Sequence, residues 1–248
     1  MISKYNIQYK PNLFLDLHLP DSKEFDLLVY FHGGGLENGS KKVVDAFTKT
    51  VVKNGIAIAS VDYRLYPNAN FPDYIDDGAS AIRWLKDNIE IYGQCKNLFV
   101  GGSSAGGYIS MMLCFDEKYL NAVGMKPIDI AGYIHDAGQP TSHFNVLREL
   151  GKDSRRIIID ETAPMYFVGN SEKYAPMVFI VSDDDMFCRY EQTMLMVKAL
   201  EHFGHKENVF LHLMHGGHCA YVRAQDADGE GVFGKIIIEY INKMLAVR

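Results

Sequence analysis

The sequence predicts an α/β protein with a mostly parallel, doubly wound sheet and helices on both of its faces. Short, continuous apolar runs alternate along the chain with longer segments whose apolar residues repeat at helical spacing. Runs that are apolar on both faces are typical of strands that helices cover from both sides. Because strand and helix alternate, right-handed crossovers and a parallel sheet are expected.

The predicted strands begin with an antiparallel edge at residues 5–9 and 13–19. In the second of these, leucines alternate with Phe14, Asp16 and His18, and such alternation predicts a strand with one face exposed to solvent. Continuous apolar runs then predict central strands at residues 27–31, 56–61, 98–100 and 177–181. Further strands are expected at residues 130–134 and 209–214.

Helices are predicted at residues 43–53, 74–92, 105–114, 190–203 and 234–245. Residues 132–173 fit the alternation poorly, because histidines and charged residues interrupt the apolar positions, and we expect a lid-like insertion there between two sheet strands. The chain has 248 residues, no internal repeat and no linker-like tract. Residues 1–248 are therefore expected to form a single domain.

Composition excludes several classes of function. Lys and Arg total 25 against 31 Asp and Glu, and the net charge of −6 argues against a nucleic-acid or anionic-membrane partner. No apolar run approaches the ~20 residues that span a bilayer, and no signal peptide is recognisable at the N-terminus. Scattered cysteines without a CxxC pair predict reduced thiols in a cytoplasmic protein. They are Cys95, Cys114, Cys188 and Cys219.

The most specific motif is a glycine-rich turn between a predicted strand and a predicted helix. It contains the pattern Gly102-x-Ser104-x-Gly106. In this context the pattern is typical of a nucleophile elbow, which holds its serine in a strained backbone conformation at the edge of the sheet. A phosphate-binding turn is the alternative, but the lysine of GxxxxGKS is absent and so is the GxGxxG pattern. The turn therefore favours Ser104 as a catalytic nucleophile.

A serine nucleophile needs a general base and an acid that orients this base. In a nucleophile-elbow protein they follow in the order Ser, Asp or Glu, His. The triplet Asp183-Asp184-Asp185 follows one predicted strand, and His215 and His218 follow the next. Both groups lie where parallel strands end, and both are therefore candidates for this site.

Two other interpretations of these residues were considered. The aspartate triplet is also compatible with a solvated loop or a cation site, although one triplet without further ligand spacing is weak evidence for calcium. His212, His215 and His218 have a spacing that can bind zinc on a helix. Their surroundings favour a strand and a glycine turn instead, and no metal is expected.

An HGGG sequence completes the pattern. His32-Gly33-Gly34-Gly35 directly follows a predicted strand. Acyl transfer generates an oxyanion that preorganised backbone N–H groups stabilise, and glycines let such groups approach closely. The N–H of Ala105, directly after the serine, is the expected further donor.

Together these motifs resemble the hormone-sensitive-lipase-like branch of the α/β-hydrolase carboxylesterases. The resemblance extends from about residue 26 to 115 and resumes at the acid and histidine loops. The positions that carry it are His32-Gly33-Gly34-Gly35, Asp62-Tyr63-Arg64-Leu65, Phe71-Pro72, Asp77, Ala81, Trp84, Gly93 and residues 102–107.

The resemblance implies the α/β-hydrolase fold and specific roles. Ser104 would be the nucleophile, Asp185 the acid and His218 the base. Gly34 and Gly35 would join Ala105 as oxyanion donors. Structural support beneath the site is implied for His32 and Asp62-Tyr63-Arg64.

The chain differs from this family at two points. Ser103 stands where many relatives have aspartate before the nucleophile. The first core strand is predicted to begin near Leu27, so we do not expect the long N-terminal helical cap that close relatives carry. We therefore expect residues 132–173 to shape the substrate pocket.

The leading hypothesis is a serine carboxylesterase without metal or cofactor that acts on small, short-chain acyl esters. The small size of the protein suggests, by analogy, that its substrate is acetylated or feruloylated carbohydrate. An amidase, formamidase or small peptidase with the same triad is the first alternative, and a non-catalytic binding module is the second. The oligomeric state is left open. Candidate specificity residues are His135, Asp136, Gln139, His143, Phe144, Met186, Phe187, Cys219 and Tyr221.

Overall fold

The computed structural model describes residues 1–42 and 46–247. Their strands form one eight-stranded sheet in the order β1-β2-β4-β3-β5-β6-β7-β8. The strands are β1 (Ile2–Lys10), β2 (Leu13–Leu19), β3 (Glu24–Phe31), β4 (Ile56–Val61), β5 (Gln94–Ser103), β6 (Gly132–Asp136), β7 (Met177–Asp184) and β8 (Val209–Gly217). Strands β3 to β8 are parallel, while β2 is antiparallel to β1 and β4. The predicted fold class is confirmed.

The antiparallel edge differs from the prediction in its burial. Strand β1 is largely exposed, but β2 is covered on both faces. Its Asp16 carboxylate lies 3.1 Å from the Lys41 ammonium, and both side chains are about 95% buried. The alternating pattern wrongly predicted a solvated face, because the polar residues on that face have partners that lie elsewhere in the sequence.

Helices cover both faces of the sheet. They are α1 (Ala46–Lys53), α2 (Asp73–Asn88), α3 (Ala105–Phe115), α4 (Lys118–Ala122), α5 (Phe144–Glu149), α6 (Arg189–His202) and α7 (Val232–Ala246). One apolar cluster joins α1 and α7 to the sheet, and the other joins α2, α3 and α6. Within the described residues, no helix is long and apolar enough to cross a membrane.

The predicted helix at 43–53 lies partly outside the described residues, since residues 43–45 are not among them. The predicted helix at 74–92 ends in a 3₁₀ turn, Ile89–Ile91. The short helices α4 and α5 were not predicted.

The insertion begins at residue 137, and its predicted boundary at 132 is wrong. Residues 132–136 form β6, which pairs with β5 and β7 inside the sheet. The predicted strand at 130–134 overlaps β6, but its extension through the polar residues His135 and Asp136 was not predicted, and both are almost completely buried. After β6 the chain packs over α3, where the Tyr108 hydroxyl donates a hydrogen bond of 2.6 Å to the Thr162 carbonyl.

Candidate active site

Ser104 lies in the sharp turn between β5 and α3. Its backbone has φ 56° and ψ −114°, a conformation that non-glycine residues rarely adopt and that stores strain. Glycine is required beside it, because a Cβ on Gly106 would lie 1.9 Å from the Phe31 carbonyl oxygen. A Cβ on Gly102 would lie 2.6 Å from the same atom. The turn thus has the close backbone approach that the motif predicted.

Asp185, His218 and Ser104 form a continuous hydrogen-bonded chain. The Nε2 atom of His218 lies 2.8 Å from the Ser104 hydroxyl oxygen, and its Nδ1 atom lies 2.5 Å from a carboxylate oxygen of Asp185. The Asp185 side chain is completely buried, while that of His218 is 23% exposed. Ser104 therefore has a base within hydrogen-bonding distance, and this base has an orienting carboxylate.

A second aspartate–histidine pair lies nearby but away from the serine. Asp183 contacts His215, also at 2.5 Å, and both side chains are exposed to solvent. The sequence offered three aspartates and two histidines. The structure brings only the Asp185–His218 pair to Ser104.

The charge of Asp185 is favoured by its surroundings. Burial raises the pKa of this carboxyl, whereas the hydrogen bond and the charge of His218 lower it. The Met186 amide and the Arg189 guanidinium act in the same direction, and the pKa of Asp185 lies below its usual range. Asp185 is therefore ionised at neutral pH and can stabilise a cationic imidazole.

The glycine loop orients two free amide groups. The Gly33 carbonyl accepts a hydrogen bond from the His32 ring, and the Gly34 carbonyl accepts from the Asn38 amide at 2.9 Å. In a trans peptide the N–H points away from the carbonyl, so the N–H groups of Gly34 and Gly35 face the other side. Within residues 1–42 and 46–247, neither of these amides donates a hydrogen bond.

Ala105 supplies a further amide. It is the first residue of α3, where N–H groups have no acceptor inside the helix. Gly34 and Gly35 line the same cleft as Ser104. The structure thus gathers the predicted oxyanion donors around the serine.

The remaining HGGG and Asp-Tyr-Arg residues lie beneath the site. The His32 ring stacks on Tyr63 with 4.4 Å between ring centroids, and the Tyr63 hydroxyl donates to the His32 carbonyl. Burial lowers the pKa of His32, which keeps the ring neutral. Arg64 forms a hydrogen-bonded ion pair with buried Asp77 at 2.7 Å. These contacts hold the loops and leave none of these side chains lining the cleft.

The insertion holds the glycine loop from the other side. The Asn145 side-chain amide donates to the Gly35 carbonyl, and Arg148 donates to the Asn145 side-chain oxygen. Arg148 also pairs with Glu37 of the loop at 2.6 Å. Residues from α5 therefore fix the conformation of the predicted oxyanion loop, a contact that no local sequence pattern indicates.

A cleft of ≈ 570 Å³ opens above Ser104 and His218. Of the candidate specificity residues, Phe144, Met186 and Cys219 line it. The others do not: Phe187 projects into solvent, and the remaining side chains are buried in hydrogen-bonded contacts. Tyr30, Val222 and Arg223 also line the cleft and were missed, because Tyr30 looked like an ordinary strand residue and the others had no motif.

His212 contacts the Tyr240 hydroxyl at 3.2 Å, so the three histidines considered for zinc have three different partners. No group of three or more His, Cys, Asp or Glu side chains in the described parts of the chain is arranged to hold a metal ion.

This sheet order, together with the strained turn between β5 and α3, is that of an α/β hydrolase. Residues 28–217 match the model of a family described by its alpha/beta hydrolase fold, and the chain belongs to that family. The resemblance inferred from the motifs is thereby confirmed.

Curated relatives match only part of the chain. Carboxylesterase NlhH of Mycobacterium tuberculosis is 39% identical over 89 residues, which are 35% of this chain and 28% of NlhH. The 3-O-acetylpapaveroxine carboxylesterase CXE2 of Papaver somniferum is 34% identical over 129 residues, 46% of this chain and 40% of CXE2. The chain thus spans less than half of the length of either relative.

Solved structures resemble the whole chain. Esterase Est2 of Thermogutta terrifontis superposes with a TM-score of 0.76 at 17% identity, covering 99% of this chain and 92% of Est2. A truncated carbohydrate esterase from gut microbiota reaches a TM-score of 0.78 at 16% identity, covering 99% and 97%. At these identities the likeness establishes the fold alone.

Proposed function

We propose that this protein is a serine carboxylesterase that hydrolyses short-chain acyl esters. The observation that carries the proposal is the chain from Asp185 through His218 to Ser104, with contacts of 2.5 and 2.8 Å. The partial matches to carboxylesterases from two organisms support the same reaction.

The proposed reaction follows from the geometry. His218 takes the proton of the Ser104 hydroxyl as its oxygen attacks the ester carbonyl, and Asp185 stabilises the imidazolium that forms. The amides of Gly34, Gly35 and Ala105 bind the oxyanion. His218 then protonates the leaving alcohol, and water hydrolyses the acyl-enzyme by the same steps in reverse. No metal or cofactor has a role in this scheme.

The cleft supports a small substrate. Its ≈ 570 Å³ lies within the usual range for small-molecule sites and has to accommodate both the acyl and the alcohol parts. Phe144 and Met186 provide apolar walls near the serine. We infer that acetyl and butyryl groups fit better than long acyl chains.

Acetylated or feruloylated carbohydrate is the proposed natural substrate class. Its support is the whole-chain similarity to the gut carbohydrate esterase together with the small size of this protein. Release of acetate from acetylated xylan and of ferulate from feruloylated arabinoxylan measures it directly.

The test of the proposed function is hydrolysis of p-nitrophenyl acetate, butyrate and octanoate. Ser104→Ala removes the nucleophile, and Ser80→Ala, at a partly exposed position in α2, is the matched control. We expect activity that falls with acyl length, is abolished by Ser104→Ala and persists in Ser80→Ala. Equal activity of wild type and Ser104→Ala would overturn the mechanism.

An amide with the same acyl group, p-nitroacetanilide, distinguishes an esterase from an amidase. Faster cleavage of the anilide than of p-nitrophenyl acetate would assign the site to amides. Failure of a serine-directed phosphonate to label the folded wild type, together with absent turnover, would instead indicate a binding module.

A further inference from the structure

A second carboxylate, Asp136, lies directly beneath the Asp185–His218–Ser104 chain. It is the last residue of β6, is completely buried and has no assigned role in the reaction proposed above. Its two carboxylate oxygens accept hydrogen bonds from different hydroxyl groups, one from Ser103 and the other from Tyr221. Ser103 in turn accepts a hydrogen bond of 2.8 Å from the Tyr30 hydroxyl.

These contacts tie together the two segments that carry the reacting side chains. Ser103 directly precedes the nucleophile, and the Asp136 backbone carbonyl accepts the Ser104 amide at 2.8 Å. Tyr221 lies in the 3₁₀ turn three residues after His218. Asp136 therefore contacts both the turn of the serine and the loop of the histidine.

Counting protons shows which form of Asp136 suits the cluster. Tyr30, Ser103 and Tyr221 contribute one hydroxyl proton each, and the three contacts between these groups and the carboxylate use all three. If Asp136 were protonated, four protons would share these three contacts. One buried hydroxyl group of the cluster would then have no acceptor within the cluster. Such an unsatisfied group is costly. The network is complete only when Asp136 is ionised.

Opposing effects set the acidity of this carboxyl. Burial, and to a smaller extent the charge of Asp185, raise its pKa, whereas the hydrogen bonds of Ser103 and Tyr221 and the charge of His218 lower it; together these effects raise the pKa of Asp136 to about 7. Because the positive charge of His218 favours the ionised form of Asp136, ionised Asp136 in turn stabilises the positive charge that His218 takes during acyl transfer. The titratable groups that face it from neighbouring elements are Tyr30, Asp185, His218, Cys219 and Tyr221.

We propose that Asp136, in its ionised form, is a positioning residue for this reaction. It holds the elbow of Ser104 against the loop of His218, and its charge stabilises the imidazolium. The proposal rests on the proposed function, because it concerns the same triad. It accounts for serine at position 103, whose hydroxyl connects Tyr30 to the buried carboxylate.

The experiment is the pH dependence of kcat/KM for p-nitrophenyl acetate. Asp136→Asn removes the charge but keeps the shape of the side chain, and Tyr221→Phe removes only one donor to it. Tyr133→Phe is the matched control, because this buried hydroxyl bonds the Pro127 carbonyl away from the site. A second readout is the separate effect of each variant on kcat and KM.

The two variants are expected to shift the acid limb of the profile, the rise of kcat/KM with pH on its acidic side, in opposite directions. Tyr221→Phe removes a hydrogen bond that favours ionised Asp136, so its pKa rises and the limb moves to higher pH by about half a unit or more. Asp136→Asn removes the titrating acid, so the limb moves to lower pH. Its kcat falls about ten- to hundredfold while KM changes little. Tyr133→Phe leaves limb and kcat unchanged.

A purely structural role would lower kcat in these variants without moving the limb, and that result would overturn the inference. Limbs that move in the same direction would also overturn it. If Asp136→Asn fails to fold, the upward movement in Tyr221→Phe decides alone. Wild type without Ser104-dependent turnover would overturn the proposed function and this inference together, whereas turnover with unmoved limbs would overturn this inference only.

Discussion

The two aspartate–histidine pairs at the ends of β7 and β8 permit a matched test of the triad. Asp185→Asn and Asp183→Asn change the same atoms in side chains that both lie 2.5 Å from a histidine ring. Asp185 is buried against His218, whereas Asp183 and His215 are exposed. The proposed mechanism assigns a large effect to the first substitution and a negligible one to the second.

The structure sets the range of the effect at Asp185. One carboxylate oxygen accepts from both His218 and the Met186 amide, while the other is buried and has no hydrogen-bond partner among the described residues. If the asparagine keeps its oxygen toward His218, the ring keeps its tautomer but loses a charged partner. Such a hydrogen bond contributes about 1.5–3 kcal/mol, which corresponds to about a ten- to hundredfold loss.

The opposite orientation has a larger effect. The amide group would then face His218 and impose the wrong tautomer, which in a Ser-His-Asp triad lowers kcat about 10⁴-fold. We therefore expect kcat for p-nitrophenyl acetate to fall between about tenfold and 10⁴-fold in Asp185→Asn. An exposed pair contributes about 0–1 kcal/mol, so Asp183→Asn is expected to stay within a few-fold of wild type.

The assay compares initial rates of the two variants and the wild type at one protein concentration, with circular dichroism to establish that each is folded. Wild-type activity in Asp185→Asn would refute the assigned acid. A loss in Asp183→Asn as large as that in Asp185→Asn would refute the distinction between the buried and the exposed pair.

Two further predictions concern the elbow and the cleft. Gly106→Ala places a Cβ 1.9 Å from the Phe31 carbonyl oxygen, so thermal unfolding should show that the free energy of unfolding falls by several kcal/mol. In Gly217→Ala no atom of the described part of the chain lies within 4 Å of the new Cβ, and the free energy of unfolding should stay within about 0.5 kcal/mol of wild type. Equal melting temperatures of the two variants would contradict this prediction. Phe144→Ala removes an apolar wall of the cleft and should raise the ratio of octanoate to acetate hydrolysis rates severalfold. Phe187→Ala, at a side chain that is 87% exposed, is the control and should leave this ratio unchanged. An unaltered ratio in Phe144→Ala would show that this ring does not limit acyl length.

Local patterns were sufficient for the sheet and for the turn of the nucleophile. Continuous apolar runs identified the central strands because both faces of those strands are buried. The strand-to-helix context of Gly102, Ser104 and Gly106 led to the elbow for a comparable reason. The glycines are required by contacts with the neighbouring strand β3 that any such turn makes.

Local sequence patterns could not predict contacts between polar side chains that are distant in sequence. Asp16 looked like a solvated residue of an edge strand because its partner, Lys41, lies 25 positions away. Asp136 was assigned to an insertion because a polar residue at that position gives no sign of Tyr221, which approaches it from 85 positions away. Likewise, the choice of Asp185 over its neighbours came from a family resemblance, and only the tertiary structure brings it to His218.

The central claim is that Ser104 becomes acylated during turnover, and mass spectrometry of the quenched enzyme tests it most directly. Wild type mixed with p-nitrophenyl acetate and quenched in acid within the first turnovers should carry one acetyl group on the peptide that contains Ser104. Ser104→Ala should carry none and should lack turnover. Steady hydrolysis by wild type with no acetyl group on Ser104, or with the acetyl group on another residue, would contradict the covalent mechanism.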